Sequence, residues 1–417
     1  MKRDSQEIRK GSQWIHYPKI RPGIQPFRYQ DRNKNLFVGL KDPLELSEAI
    51  ILLPLDLYYL LQFCDGAHSL EDMLSCYTRR FGAVLPADRL HKMIKKMDDG
   101  LLFDNERSQK RIAQIEAAFR NQDIRAATCA GDSYAFERSA LEKELQTYHD
   151  AGAVDKSILT RFEKKNIKAM ILPHIDLRLG GATYAAAYDV LRRAQPIDLF
   201  VILGISHQPT THAFVMTTKD FQTPLGLVKT DKTIVKNIME RCTTDFFADE
   251  IVHRDEHSIE FQTLFLRYHC TSDFRIVPIL CSFSHLPSAA NKKQIAEMTA
   301  ALRAETDSYR GTVCFIASVD LSHIGPHYGD DFRPDSFMLA KVEQADKDVL
   351  DALAQHDMAK FEQYFIRSNN KYNICGYPAL RTLMEILPPA HATLLHYDNA
   401  IMDDERSTVT FASMIFS

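Results

Sequence analysis

From residue 167 to the end of the chain, short apolar runs alternate with longer segments of helical periodicity. Six of these runs have the length and composition of buried strands, and they cover residues 168–172, 199–203, 274–280, 313–318, 393–396 and 408–416. Strands that alternate with helices favour an α/β fold, in which helices cover both faces of a mostly parallel sheet. The pattern therefore predicts a central, mostly parallel sheet in this part of the chain.

A different pattern precedes the sheet and predicts a small, mainly helical N-terminal domain over residues 36–107. Residues 55–63 have the character of a short apolar helix, and a capping box at Ser69 opens a second helix. A third helix follows Pro86, with apolar residues at helical spacing. The apolar residues 101–103 then predict a strand.

The segments on either side of this domain carry weaker patterns. Residues 1–35 hold nine Lys and Arg against three acidic residues, together with three prolines, and this predicts an extended basic arm. The arm is interpreted either as a solvated tail or as a contact for an acidic partner. Residues 108–125 are predicted to form a helical connector that leads into the α/β domain at residues 126–417.

The overall charge and hydropathy exclude two classes of partner. The chain has 51 Lys and Arg and 55 Asp and Glu, a formal net charge of −4, and so lacks the basic excess of nucleic-acid-binding proteins. Its longest apolar run, residues 49–64, is interrupted by Pro54 and Asp56 and is shorter than the ~20 residues that span a bilayer. The N-terminal residues lack the apolar core of a secretory signal. We expect a cytoplasmic protein without a nucleic-acid partner and without a membrane contact.

The eight cysteines are scattered and include no C-x-x-C pair. This spacing argues against a disulfide framework and against a zinc knuckle. A cysteine is by default a buried apolar residue. Cys375 differs, because it lies beside Gly376 and Pro378 in a predicted turn between helices, and it is therefore a candidate ligand.

Histidines concentrate in the predicted sheet region, where nine of the sixteen lie between His174 and His327. Three of them, His174, His207 and His323, directly follow apolar strands. In an open α/β sheet, ligands bind beyond the carboxyl ends of the strands. One histidine at a strand end is usually structural, but three in the same context predict a functional cluster if their strands are parallel neighbours.

Anionic groups lie in the same segments, namely Asp176, Asp255, Asp320 and Cys375. Two imidazoles and one anionic ligand suit iron, zinc, copper or nickel, and such a centre keeps coordination positions open for other molecules. The sequence therefore predicts a metal centre at this edge of the sheet.

His257 stands between carboxylates just ahead of an apolar helix. In one interpretation, Asp255 and Ser258 simply cap that helix. In the other, His257 acts as a general acid or base beside a metal-bound group, because the pKa of histidine lies near neutrality.

At these residues the chain resembles the Memo family, the protein B component of AmmeMemoRadiSam systems, over residues 126–417. Six short motifs occur in the family's order. They are Ala130-Gly131-Asp132-Ser133-Tyr134, Pro173-His174 with Gly180-Gly181, Leu203-Gly204-Ile205-Ser206-His207, Asp255-Glu256-His257-Ser258-Ile259-Glu260, Ser318 to His323, and Ile374-Cys375-Gly376. The fold of the family is similar to that of class III extradiol dioxygenases, so the resemblance implies that fold here.

The resemblance also implies roles for individual residues. The metal ligands would be His174, His207 and Cys375. The family's assisting groups match His257, Asp320 and His323, which become the candidate catalytic residues. A thiolate ligand softens the site and favours Fe(II) or Cu(I) over Mg or Ca. We therefore expect Fe(II), with copper as the alternative and zinc less favoured.

This chain departs from the family pattern around the site. The family's A-G-Y after the first histidine is replaced by Ile175-Asp176-Leu177, and Arg178 follows. Asp176 and Arg178 would add a carboxylate and a guanidinium to the crevice, which suggests an anionic substrate group or an altered ligand set. The third ligand is therefore either Cys375 or an aspartate.

Three functions compete on this basis. The first is a non-haem iron oxidoreductase that acts on a small molecule or a peptide in a radical SAM-associated system. The second is a non-enzymatic metal-binding scaffold, whose N-terminal domain resembles winged-helix and PqqD-like peptide-binding domains and would dock a radical SAM enzyme or a peptide. The third is a zinc hydrolase with Asp176 or Asp255 as the base.

Overall fold

Three antiparallel strands begin the part of the chain that this computed structural model describes, which comprises residues 16–42, 44, 46 and 50–417. They are β1 (Gln25–Gln30), β2 (Leu36–Lys41) and β3 (Ile51–Pro54), paired in that order. β1 lies within the segment predicted to be an extended arm, and residues 1–15 of that arm lie outside the described residues. Phe27 of β1 pairs with Gly39 of β2, and its ring fills the space that a side chain at Gly39 would need. Such an aromatic cover stabilises a strand glycine.

Helices follow these strands in the N-terminal unit, Met1–Asn121. The described ones are α1 (Leu55–Tyr58) with the following 3₁₀ turn Tyr59–Phe63, α2 (Leu70–Phe81), α3 (Ala87–Asp99) and α4 (Glu106–Arg120). The predicted capping box is confirmed: Ser69 Oγ accepts a hydrogen bond from Asp72 N at 3.1 Å, and Asp72 Oδ2 accepts one from Ser69 N at 2.9 Å.

The strand predicted over residues 101–103 is wrong. Leu101 has a left-handed backbone conformation with φ of 56°, which interrupts an extended chain. Phe103 makes only an isolated bridge to Ile20, and its side chain is buried in the core of the N-terminal unit. The apolar character of this segment therefore reflects burial, not strand formation.

The C-terminal unit, Gln122–Ser417, contains a large sheet and a small sheet. Its strands are β4 (Ile124–Arg125), β5 (Ala169–Leu172), β6 (Leu199–Ile205), β7 (Phe214–Met216), β8 (Asp220–Thr223), β9 (Gly226–Val228), β10 (Arg275–Cys281), β11 (Val313–Ser318), β12 (His323–Ile324), β13 (Ala392–Ile401) and β14 (Thr408–Phe416). β4, β8 and β9 form the small sheet. The large sheet has the order β12-β14-β5-β11-β6-β10-β7, and β13 pairs with β14. All six predicted strands are present.

The four central strands of the large sheet, β5, β11, β6 and β10, run parallel. Antiparallel strands flank them, with β14 beside β5 and β7 beside β10. The predicted α/β fold is confirmed, with antiparallel margins added to the parallel centre. Since parallel neighbours end at the same edge of a sheet, the loops that follow β5, β11 and β6 meet at one place.

Helices cover both faces of the large sheet. They are α5 (Arg138–Ala151), α6 (Lys156–Phe162), α7 (Leu177–Arg193), α8 (Lys232–Arg241), α9 (His257–His269), α10 (Ala289–Ser308), α11 (Ser336–Ala354), α12 (Met358–Ser368) and α13 (Tyr377–Ile386). Val201 of β6 lies in a core cluster on one face of the sheet, together with residues of α10 and α13. Its neighbour Ile202 lies in a second cluster on the other face, together with residues of α7 and α9. Within the described part of the chain, no helix combines the length and the apolar character that a membrane span requires.

Candidate metal centre

Three loops at the carboxyl edge of the parallel strands carry the predicted site residues. His174 lies two residues beyond β5, His207 two beyond β6, and Asp320 two beyond β11. β11 lies between β5 and β6 in the sheet, so the three loops are neighbours. The imidazole centroids of His174 and His207 are 5.0 Å apart.

His257, the first residue of α9, completes a group of three imidazoles. Its ring centroid lies 4.7 Å from that of His207 and 5.4 Å from that of His174. Potential ligand atoms of the three residues all lie within 4.8 Å of one another, close enough to hold one metal ion. His174 is 2% exposed, whereas the side chains of His207 and His257 are 42% and 34% exposed. The group is therefore open to solvent on one side.

Hydrogen bonds fix the orientation of His174. Its Nδ1 lies 2.9 Å from the carbonyl oxygen of Ser318, which can only accept, so Nδ1 carries the proton and Nε2 keeps a lone pair. Asp320 Oδ1 accepts hydrogen bonds from the backbone N–H of His174 at 2.9 Å and of Ile175 at 3.1 Å. Asp320 therefore holds the loop after β5 in place.

Cys375 lies against the same imidazole. Its Sγ is 3.4 Å from His174 Nε2 and 3.5 Å from the carbonyl oxygen of Asp320. The approach depends on Gly376, because a Cβ there would lie 2.7 Å from Val319 Cβ and 3.0 Å from Asp320 O. The absence of a side chain at Gly376 thus allows the loop before α13 to reach the site.

Glu256 is a site residue that the sequence interpretation missed. Its buried carboxylate lies 3.0 Å from His207 Nδ1 and 3.3 Å from His257 Nδ1, so it orients two imidazoles. The neighbouring Asp255 instead pairs with Arg254 at 2.6 Å. The interpretation of Asp255 as the cap of α9 is wrong, since the N-cap is Glu256, which accepts a hydrogen bond from Ser258 N. An N-cap accepts from N2 or N3, so Asp255 and Glu256 both meet the spacing to Ser258, and the sequence carries no signal that selects Glu256.

Gly204 allows α9 to begin beside β6. A Cβ at this position would lie 2.7 Å from Ile259 Cγ1 and from Ser258 Oγ. In its absence, Ser258 Oγ accepts a hydrogen bond from Ile205 N at 3.1 Å and donates one to Ile205 O at 2.9 Å. This link between strand and helix brings His257 to His207.

The remaining predicted residues lie around the group. His323 Nδ1 is 3.1 Å from Leu321 O, and its ring centroid is 5.0 Å from that of Tyr328. Asp176 caps α7 and pairs with Arg178, whose Nε and Nη2 lie 2.8 and 2.7 Å from the carboxylate oxygens. The two charges that were predicted to enter the crevice are thus engaged with each other, and the Arg178 side chain is 66% exposed.

Burial at the site disfavours the charged form of any side chain that has no opposite charge close to it. Burial, together with His207, lowers the pKa of His174 to about 3, and burial lowers that of His257 to about 4. Burial, followed by the nearby Asp320, raises the pKa of the Cys375 thiol well above its usual value. Burial would lower the pKa of His207, but the negative charge of the Glu256 carboxylate outweighs burial, and the pKa of His207 is raised.

This donor set fits a transition-metal cation. Neutral imidazoles offer lone pairs to a metal ion, and the positive charge of that ion would stabilise a buried Cys375 thiolate. Imidazole and thiolate are ligands of iron, copper and zinc, whereas magnesium and calcium prefer oxygen. His174 and His207 could hold such an ion together with either His257 or Cys375.

Comparison with known proteins extends over both units. A family model described as Memo-like protein matches residues 125–415. A MEMO1 family protein of Aquifex aeolicus (strain VF5) is 26% identical over 401 residues, which cover 95% of this chain and 100% of that protein. A MEMO1 family protein of Methanosarcina barkeri is 27% identical over 297 residues, covering 70% of this chain and 99% of the relative. A third, from Methanococcoides burtonii, is 28% identical over 262 residues, covering 63% and 86%.

Proposed function

This chain belongs to the Memo-like protein family, and from that premise we propose that it is a non-haem iron protein that oxidises a small molecule or a peptide. Copper is the alternative metal, and zinc is less favoured. The convergence of His174 and His207 at the carboxyl edge of the sheet, with His257 and Cys375 beside them, carries the proposal. We place its work in the cytoplasm, because all eight cysteines are free, as is usual in a reducing compartment.

In the proposed ligand set, His174 and His207 bind through Nε2 and Cys375 is the third ligand. The contacts of Nδ1 with Ser318 O and with Glu256 support this choice, since they leave Nε2 available on both rings. The 3.4 Å distance between Cys375 Sγ and His174 Nε2 supports the thiol. Bound iron would supply redox chemistry and open coordination positions in the manner of the class III dioxygenases that the family resembles.

The chain's own groups would position the substrate and move its protons. His257 is partly exposed, and its Nδ1 is held by Glu256, so Nε2 is available to accept or to donate a proton at the open side of the site. His323 is the second candidate acid or base. Asp320 is a positioning residue, because it holds the backbone of His174 and Ile175.

The test is the metal content of protein purified without oxygen, measured by elemental mass spectrometry. We expect about one iron per chain in the wild type, and loss of the iron in His174→Ala and in Cys375→Ser. Cys242→Ser is the matched control, since this partly exposed cysteine follows α8. Iron retained by His174→Ala would refute the proposal. Loss in His257→Ala with retention in Cys375→Ser would replace the thiol ligand by the third imidazole.

A second candidate function is protein docking through the N-terminal unit. A groove of about 640 Å³ in this unit is lined by apolar side chains that include Leu55, Tyr59 and Phe81. β1 forms an edge of the nearby sheet, all of its residues are exposed, and an edge strand can pair with an extended peptide. These features support docking of a protein or an extended peptide, and we propose a radical SAM enzyme, or a peptide that it modifies, as that partner.

Binding of the full chain to a radical SAM enzyme of the same organism tests the docking function. Leu55→Glu and Phe81→Glu should abolish binding, because each places a charge in the groove. Val84→Glu is the control, since Val84 is 82% exposed and does not line the groove. Equal binding by all three variants would rule out the groove as the docking surface.

A further inference from the structure

A second group of histidine and aspartate side chains lies outside the candidate centre. His149 of α5, Asp189 of α7 and His269 of α9 come together where the three helices pack. The Nε2 atoms of His149 and His269 are 2.8 Å apart, and His149 Nδ1 lies 3.0 Å from Asp189 Oδ2. His257 and His269 are the first and last residues of α9, so the two groups are about 18 Å apart at 1.5 Å per residue.

The surroundings hold these rings in place. The side chain of His149 is 9% exposed, and His269 is 6% exposed. Tyr188 stacks on His269 with a centroid distance of 5.5 Å and an interplanar angle of 16°, and Tyr268 stacks on His149 at 6.0 Å and 23°. The two Nε2 atoms therefore face each other in a fixed arrangement.

The distance between these atoms suits a shared ion. Nitrogen–metal bonds of about 2.05 Å place two ligand atoms about 2.9 Å apart at a right angle and about 3.3 Å apart at a tetrahedral angle. The observed 2.8 Å is close to the right-angled value, which copper(II) and nickel(II) adopt in tetragonal geometry. Asp189 Oδ2 lies 3.0 Å from His149 Nδ1 outside hydrogen-bond geometry, and its negative charge favours the proton on that nitrogen, which leaves a lone pair on Nε2 of the ring.

We propose that His149 and His269 bind one late first-row divalent transition-metal ion through their Nε2 atoms, with Asp189 orienting His149. Binding requires only that His269 carry its proton on Nδ1 and not on Nε2, so neither imidazole changes charge. A carboxylate behind a ligating histidine is the usual outer contact of such sites. A cavity of about 80 Å³ that is lined by Arg192, His269 and Cys270, though not by His149 or Asp189, has room for water beside His269.

The consequence of occupancy is a cross-link between α5 and α9. The ion would join two helices that the chain separates by more than a hundred residues, and an ion that binds only the folded state stabilises it. Arg192 Nη2 lies 3.5 Å from Asp189 Oδ1, so the carboxylate is already partly neutralised. The site is thus a structural or regulatory metal site, independent of the one proposed for catalysis.

The test uses the full chain with His174→Ala and Cys375→Ser, which removes two ligands of the catalytic proposal. Isothermal titration calorimetry of this chelator-treated protein with Ni²⁺, Cu²⁺ and Zn²⁺ should detect one ion per chain with micromolar affinity. Thermal unfolding of the same protein should show a higher Tm when the ion is present. Adding His149→Gln or His269→Gln should abolish this binding, and Asp189→Asn should weaken it 10- to 100-fold. His91→Gln, an exposed histidine of α3, is the control.

Electron paramagnetic resonance of the Cu²⁺ complex gives a readout that stability does not affect. We expect coupling to two imidazole nitrogens in the parent and to fewer in either histidine variant. Absence of binding to the parent, or equal binding by the parent and by both histidine variants with native circular dichroism, would overturn the proposal. Any ion held by the remaining His207 and His257 would bind the parent and both histidine variants alike, so a loss of binding in His149→Gln or His269→Gln does not depend on whether the candidate iron centre exists.

Discussion

Glu256 contacts His207 at two points. Its Oε2 accepts a hydrogen bond from the backbone N–H of His207 at 2.9 Å, and its Oε1 lies 3.0 Å from the imidazole Nδ1. The carboxylate thus fixes both the loop after β6 and the ring at the end of that loop. Burial would raise the pKa of Glu256, but His207 outweighs it and keeps this pKa below its usual range. Glu256 is therefore an anion that specifies which nitrogen of His207 stays free.

We expect Glu256→Gln to weaken metal binding by 10- to 100-fold, the usual cost of losing an outer-shell partner. A neutral amide no longer favours the proton on Nδ1 of His207, so Nε2 presents its lone pair less often. The measurement is an anaerobic titration with Fe²⁺ or with Co²⁺ as its spectroscopic substitute. Asp255→Asn is the matched control, since that neighbouring carboxylate pairs with Arg254. Equal affinities in the two variants would contradict the role of Glu256.

The sequence located the site to within one residue but could not choose between adjacent carboxylates. Asp255 and Glu256 differ by one position, and the start of α9 decides which of them faces the imidazoles. That start depends on the contacts of Ser258 with Ile205, which join segments more than fifty residues apart. Local patterns carry no information on such a tertiary contact.

Long strands that are buried throughout were predictable from the sequence, whereas the exposed strand β1 was not. Residues of β6 and β14 are buried along their whole length, so their apolar runs identify them. β1 is exposed throughout and contains Pro26, and its pairing depends on the contact of Phe27 with Gly39. Helices α2 and α3 were predictable, because Ser69 marks the start of α2 and Pro86 and Gly100 mark the two ends of α3.

We expect Gly376→Ala to impair metal retention as well as folding. The new methyl group would lie 2.7 Å from Val319 Cβ and 3.0 Å from Asp320 O, so the Cys375 loop must move away from His174. Overpacking of this kind costs about 1–3 kcal/mol of unfolding free energy. Urea unfolding and iron content measure the two effects.

Gly82→Ala is the control for that substitution. Gly82 has a φ of 66° with nothing within 4 Å, so alanine there costs about 1–2 kcal/mol through backbone strain alone. It lies at the end of α2 in the N-terminal unit, and iron content should not change. Full iron retention in Gly376→Ala would show that iron binding does not require Cys375 to be in its observed position.

The ion pair of Arg125 and Glu260 predicts a large loss of stability when one partner is removed. Both side chains are fully buried, and Arg125 also donates hydrogen bonds to the carbonyl oxygens of His253 at 2.9 Å and of Glu256 at 2.8 Å. Arg125→Met leaves the Glu260 carboxylate buried without its cation, which costs about 3–5 kcal/mol. Urea unfolding followed by circular dichroism measures this change.

An exposed ion pair provides the comparison. Arg138 and Glu142 lie on the surface of α5 with side chains 66% and 43% exposed, and such pairs contribute about 0–1 kcal/mol. Arg138→Met should therefore leave the unfolding free energy nearly unchanged. A loss below about 1 kcal/mol in Arg125→Met as well would mean that the buried pair is not the link between β4 and α9.

His253 should make the protein sensitive to acid. The residue is 1% exposed, its Nε2 donates a hydrogen bond to Val215 O at 3.1 Å, and its Nδ1 is buried without a hydrogen-bond partner. Burial, with a smaller effect of Arg125, lowers its pKa to about 3 from an ordinary 6.5. A lowered histidine pKa means that the unfolded chain binds the proton first. Stability is thus fully present above pH 6.5 and is lost as the pH falls toward the folded-state value, by up to about 1.4 kcal/mol per pH unit.

His253→Gln keeps a donor for Val215 O and removes the titrating ring. At neutral pH the unfolding free energy of His253→Gln should be lower than that of the wild type, because the shape of the ring is lost. Between pH 6.5 and 4.5 it should fall less steeply with decreasing pH, and the two slopes should differ by about 1.4 kcal/mol per pH unit. Urea unfolding of chelator-treated protein at several pH values measures the slopes. His68→Gln is the control, since its side chain is 42% exposed, and its curve should parallel the wild type. Parallel curves for His253→Gln and the wild type would mean that the buried ring accepts a proton in the folded protein without cost.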